Sequence, residues 1–271
     1  MAGSFRPAEV VLGSSALNGS MYRTFRLRHD PAVGDTTPAC RAVNVSVDGM
    51  EIEWTDFNRA DDVIATEKAQ EWKEIESALR GLLLHLKASD QKGIQGRAIF
   101  DPKGTNEAIK QALKIHDWTR IPIPAEFTFL GTDIDYGKNG VLAEAQFSNY
   151  PFLLNNTIRS ELFFKSGVRL PNLPTRLVVI ITKAHMFPAS NSTLYFEQAR
   201  HQLEALVKHK VFDVPIRLVG LFEKRDVDVT AVWTEYSATR YSRKIGARRE
   251  RVCKVRVGKS KKSRSKLEWS D

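Results

Sequence analysis

Residues 131–152 read GTDIDYGKNGVLAEAQFSNYPF, two alternating apolar runs on either side of Asn139-Gly140. Both turn residues tolerate positive φ, so FTFLGTDIDYG and VLAEAQF are predicted to be the strands of a tight hairpin. Side chains two apart on a strand share a face, which points Glu144 and Gln146 the same way. A short turn then sets Asp135 across from them. Two carboxylates and an amide at one spot suit a hard divalent cation such as Mg²⁺, which keeps several waters and takes a substrate phosphate oxygen as a further ligand. A water on that ion is acidified into a nucleophile. The spacing alone, an acid followed later by E-x-Q, equally describes the polar solvent face of an ordinary hairpin.

On the N-terminal side, TEKAQEWKEIESALRGLLLHLKAS carries Trp72, Ile75, Leu79, Leu82, Leu83 and Leu86 at steps of three and four. That period predicts one amphipathic helix from Thr66 through the leucines. TNEAIKQALKIHDW repeats the pattern with Ile109, Ala112 and Leu113, and Pro122 and Pro124 end the region. On the C-terminal side, residues 155–166 read as a helix and RLVVIITKAHMF as a buried strand. STLYFEQARHQLEALVKH follows as a helix with a cap near Ser192, then VPIRLVGLF as a second apolar strand. VDVTAVWTEYSATRYSRKI continues as β structure. This order predicts an α/β fold with a central mixed sheet flanked by helices.

Length suits one large domain with appendages. Residues 1–49, rich in Gly, Ser, Ala and Pro, read as a poorly ordered extension, residues 50–257 as the folded domain and 258–271 as a basic tail. Charge is uneven: residues 240–271 carry thirteen Lys and Arg against three carboxylates, a local +10 that leaves the other 239 residues at −1. Such an end fits either a phosphate-backbone partner or a solvated, solubilising tail. The two cysteines and six histidines show no zinc spacing. GKS at 258–260 lacks the earlier glycine of a phosphate loop. With no run of about 18 apolar residues, neither a membrane span nor a secretory leader is predicted, and the expectation is a cytoplasmic protein.

Beyond the hairpin, LHLKASDQ, IFDPKGTN, FSNYPFLLNNTIRSELF, ITKAHMFPASNSTLYFEQA, VFDVPIRLVGL and RYSR closely resemble the BglII family of type II restriction endonucleases, over about residues 50–250. The resemblance implies a restriction-endonuclease core with an added β subdomain, and a homodimer enclosing double-stranded DNA. It also implies Mg²⁺-dependent cleavage at an AGATCT-type site after the first A, leaving four-base 5′ overhangs. It makes Asp135 and Glu144 the metal ligands and puts Gln146 where such nucleases usually carry lysine. An amide cannot serve as general base at neutral pH, so Gln146 would orient the attacking water. It also implies that Ser148, Asn149, Asn191, Ser192, Tyr241 and Arg243 contact DNA; the alternative for Asn191 and Ser192 is helix capping. The sequence departs from the family just before IPIP, where Thr119 and Arg120 stand in place of an amide-bearing pair. A protein that kept this scaffold for DNA binding and lost cleavage is the second reading.

Overall fold

The computed structural model describes residues 49–148, 151–237, 244–258 and 264–270. Along the chain come β1 (Met50–Phe57), α1 (Ala60–Thr66), α2 (Ala69–Arg80), β2 (Leu84–Ala88), β3 (Ala98–Phe100), α3 (Pro102–Lys114) and β4 (Thr119–Pro122). After them follow β5 (Asp133–Lys138), β6 (Val141–Ala145), α4 (Pro151–Ser166), β7 (Leu177–Lys183), α5 (Phe196–Lys208) and β8 (Ile216–Glu223). The last three elements are β9 (Asp228–Tyr236), β10 (Ile245–Arg256) and β11 (Lys266–Trp269).

Six strands form the central sheet in the order β1-β8-β7-β6-β5-β4. Its middle pairs, β6 with β7 and β7 with β8, are parallel, and the rest are antiparallel. Every residue of β7 is buried, as expected of a strand covered on both faces. Its alternation divides the core: Val178 and Ile180 meet Phe196, Ala199 and Leu203 of α5. Val179 and Ile181 join Trp72, Ile75 and Leu79 of α2 on the other side. The smaller five-stranded sheet runs β11-β10-β9-β2-β3, so the mixed α/β architecture with an added β portion is as the sequence implied.

Three local expectations are corrected. The helix predicted from Thr66 through Leu86 stops at Arg80 with Gly81 as its C-cap; Leu82 and Leu83 form the link and Leu84 and Leu86 lie in β2. Leu84 and Leu86 are buried, and β2 pairs in parallel with β9, a partner far along the chain that periodicity cannot reveal. FTFL belongs to a 3₁₀ turn over Ala125–Leu130, and β5 begins only at Asp133. The helix expected to open near Ser192 begins at Phe196. Residues 1–48 lie outside the described residues. Lys266–Trp269, inside the stretch read as a basic tail, pairs with β10.

Candidate active site

The hairpin sits where its turn residues put it. Asn139 and Gly140 have φ of 49° and 77°, and Lys138 pairs with Val141 across a two-residue link. Gly140 is required twice over, because a Cβ there would lie 2.5 Å from the Pro174 carbonyl oxygen as well as in the left-handed region. The ladder's outermost pair is Tyr136↔Ala143, so Asp135 and Glu144 are the next residues along the two strands. The Ala145 N–H donates to Asp135 Oδ2 at 3.0 Å. The Asp135 carboxylate is thus tied to the backbone of the strand that carries Glu144.

Both carboxyls are pushed up from their ordinary values. Burial is the main cause for Asp135, with the Ala145 N–H and Arg120 pulling the other way. Glu144 is only 7% exposed; burial pushes its carboxyl up against the pull of Arg159, and Asp135 adds to the rise. Adjacent desolvated carboxyls that are hard to ionise together are stabilised by a cation placed between them.

Helix α4 supplies two residues not singled out from sequence. Arg159 Nη2 pairs with Glu144 Oε1 and donates to Asn156 Oδ1 at 3.2 Å, while its Nη1 donates to the Asp133 carbonyl at 3.2 Å. Asn156 Nδ2 donates to Gln146 Oε1 at 3.2 Å, and Gln146 Nε2 donates to the Ser148 carbonyl. The Gln146 amide is therefore fixed at both ends, with one N–H and one lone pair to spare. The available sequence signal was the three-residue spacing of Asn156 and Arg159 in NNTIRSELF, which puts two polar groups on one helix face.

Ser148 is exposed just beyond β6. Asn191 and Ser192 are exposed in the turn between β7 and α5. Because β6 and β7 are parallel, the Ser148 and Asn191 segments both leave from the carboxyl ends of the pair, where ligands of open α/β sheets bind. Neither Asn191 nor Ser192 caps α5, whose N-cap is Tyr195 without a side-chain bond; Ser192 Oγ instead lies 3.2 Å from Ser190 Oγ. Asn149, Tyr241 and Arg243 lie outside the described residues.

A second group of cation-ligating type lies apart from the hairpin. Glu53 on β1, His185 after β7 and Glu197 in the first turn of α5 bring three ligand atoms within 4.8 Å of one another. No histidine spacing announced it. On the hairpin side, a cavity of about 520 Å³ is lined by Asp135, Arg120 and one face of α3. Arg120 Nη2 is held by Asp133 Oδ1 at 2.7 Å.

Residues 52–221 match the family described as restriction endonuclease BglII/BglIII. The chain is 55% identical over 200 residues to the type II restriction enzyme BglII of Bacillus subtilis, covering 73% of this chain and 88% of that protein. Its fold is similar to a crystal structure of restriction endonuclease BglII complexed with a DNA 16-mer, with a TM-score of 0.77 and 50% identity. That match covers 82% of this chain and all of the other. Against a crystal structure of free BglII the TM-score is 0.63 at 47% identity, with the same coverage.

Proposed function

The chain belongs to the restriction endonuclease BglII/BglIII family, and from that premise we propose that it cuts double-stranded DNA as a homodimer, with Mg²⁺ at Asp135 and Glu144, within AGATCT. Family membership makes it a site-specific deoxyribonuclease that works with a divalent metal. The observation that carries the metal assignment is the geometry of the pair Asp135 and Glu144 on the hairpin, where the Ala145 N–H beside Glu144 holds the Asp135 carboxylate.

The donor set fits a hard cation: two carboxylates, one buried and one lining an open cavity. Bound there, the ion supplies a Lewis acid and an acidified water. Arg159 is the counter-charge that Glu144 holds in its absence, and Asn156 ties that guanidinium to Gln146. Gln146 orients the nucleophile through its spare N–H or lone pair, since its other contacts lock the plane of the amide. Ser148, Asn149, Asn191, Ser192, Tyr241 and Arg243 read or position the DNA; amides suit adenine edges and arginine suits guanine in the major groove.

The homodimer is supported by α4, whose inner face holds Asn156 and Arg159 while Leu154 and Ile158, four residues apart on the opposite side, stand 43% and 44% exposed. Apolar side chains gathered on an exposed helix next to a catalytic pair suit an isologous contact around a palindrome. A cytoplasmic location belongs to the same reading; among the described residues no helix is long and apolar enough to cross a membrane. Sequencing the ends of a digested plasmid library tests the assignment. Four-base 5′ overhangs cut after the first A of AGATCT are expected, and ends at any other sequence would overturn the site.

A further inference from the structure

We propose that α3 is a phosphate track, a stripe of lysines that seats the DNA backbone in the cavity leading to Asp135. The inference rests on the nuclease reading and deepens it. Lys103, Lys110 and Lys114 are spaced by seven and four residues, which places them on one face of α3. All three line the cavity of about 520 Å³ that also holds Arg120 and Asp135. At 1.5 Å per residue the stripe spans roughly 16 Å, enough to follow several phosphates of one strand.

Among the described residues, several cations of the basic C-terminal end are already engaged within the small sheet. In the basic C-terminal end, Arg249 lies 3.7 Å from Glu235, Lys254 3.7 Å from Asp228, and Arg256 3.0 Å from Glu268. Arg251 stacks over Trp269 at 4.0 Å. Strands β9, β10 and β11 use those cations for cross-strand pairing. By contrast, exposed Lys110 and Lys114 have no carboxylate partner among the described residues. Lys103 lies 5.3 Å from the centre of the Tyr236 ring, a contact that leaves its charge uncompensated. Of the two acidic residues lining the cavity, Glu107 is met by Arg248 at 3.6 Å and Asp135 is the carboxylate assigned to the metal; Arg120 is already paired with Asp133. What remains is a row of lysines facing an open cavity beside a carboxylate placed to hold a metal. Lysines in such a row neutralise backbone phosphates and release counterions without reading sequence.

The test compares the cleavage-deficient Glu144→Gln protein with the same protein carrying Lys110→Ala and Lys114→Ala, and with a charge-matched control, Lys208→Ala and Lys210→Ala. Binding of a duplex containing AGATCT and of a scrambled duplex is measured across a KCl series in Ca²⁺. The track predicts that the α3 pair flattens the log Kobs against log salt slope by about 2 and weakens both duplexes equally, roughly 10- to 100-fold at 0.1 M salt, with the specificity ratio kept. The control pair should leave the slope unchanged. An unaltered slope in the α3 variant, an equal change in the control, or a loss confined to AGATCT would each overturn the track while leaving the nuclease reading standing. A wild-type chain that neither binds nor cuts duplex DNA would overturn both together.

Discussion

Glu144 is the residue on which chemistry and packing compete. Its buried ion pair with Arg159, itself 6% exposed, means that Glu144→Ala removes the proposed metal ligand and also strands a guanidinium in the interior. Breaking such a pair costs about 3 kcal/mol or more, whereas an isosteric amide keeps an acceptor in place. Both Glu144→Ala and Glu144→Gln are expected to lower the cleavage rate by orders of magnitude, and only the alanine to lower the melting temperature markedly. Calorimetry beside plasmid cleavage separates the two effects, and a Gln variant cutting at near wild-type rate would move the chemistry away from this hairpin. Asn191→Ala should act differently, costing about 1 to 3 kcal/mol of discrimination at one base pair while leaving nonspecific affinity unchanged. Gel shifts on cognate and single-mismatch duplexes measure it. Asp135 and Glu144 could be read from sequence because a two-residue turn fixes their register within a few residues. Arg159 could not, since its meeting with Glu144 depends on how α4 packs against the sheet.

At the scale of elements, short-range patterns were legible and long-range partners were not. The hairpin, α5 and the all-buried β7 follow from turn residues, periodicity and an apolar run. The helix drawn through Leu86 was wrong because apolar steps of three and four also fit a buried strand, and only pairing with β9 decides between them. The joint between α2 and the hairpin is also invisible from sequence. Glu74 of α2 accepts from Lys138 Nζ at 2.8 Å and from Trp118 Nε1 at 2.9 Å. It thereby clamps the end of β5 and the loop after α3. Burial pushes its carboxyl up, but Lys138, Gln70 and Trp118 outweigh that and hold it below its ordinary value of 4.5. A carboxyl depressed in the folded state stabilises fully above its unfolded value and loses that contribution as pH falls through the folded one. Chemical denaturation from pH 7 to pH 3 should therefore show a steeper acid loss for wild type than for Glu74→Gln. The variant should start less stable at pH 7 by about 1 to 3 kcal/mol, the cost of leaving Lys138 and Trp118 short of a partner. Parallel acid limbs would show that the clamp carries no stability.

For the whole molecule, the family match begins at residue 52 and β1 at Met50, so removal of residues 1–49 is expected to leave cleavage intact. A truncated protein that folds by circular dichroism yet does not cut would contradict this. The proposed dimer makes a stronger demand, because one chain presents one hairpin and a palindromic site would require two cuts. If α4 forms the two-fold contact, then Leu154 and Ile158, exposed in the single chain, are covered in the assembly. The free protein should sediment at twice the chain mass of 30.6 kDa. Ile158→Glu would place a charge on that axis opposite its own copy, where like charges meet without solvent. The expected outcome is a shift to monomer at micromolar concentration, an unchanged far-ultraviolet circular dichroism spectrum, and cleavage that rises with the square of protein concentration. The residue lies on the outer face of α4, away from the Arg159 pair, so a folded dimeric Ile158→Glu protein of normal activity would place the interface on another face of the chain.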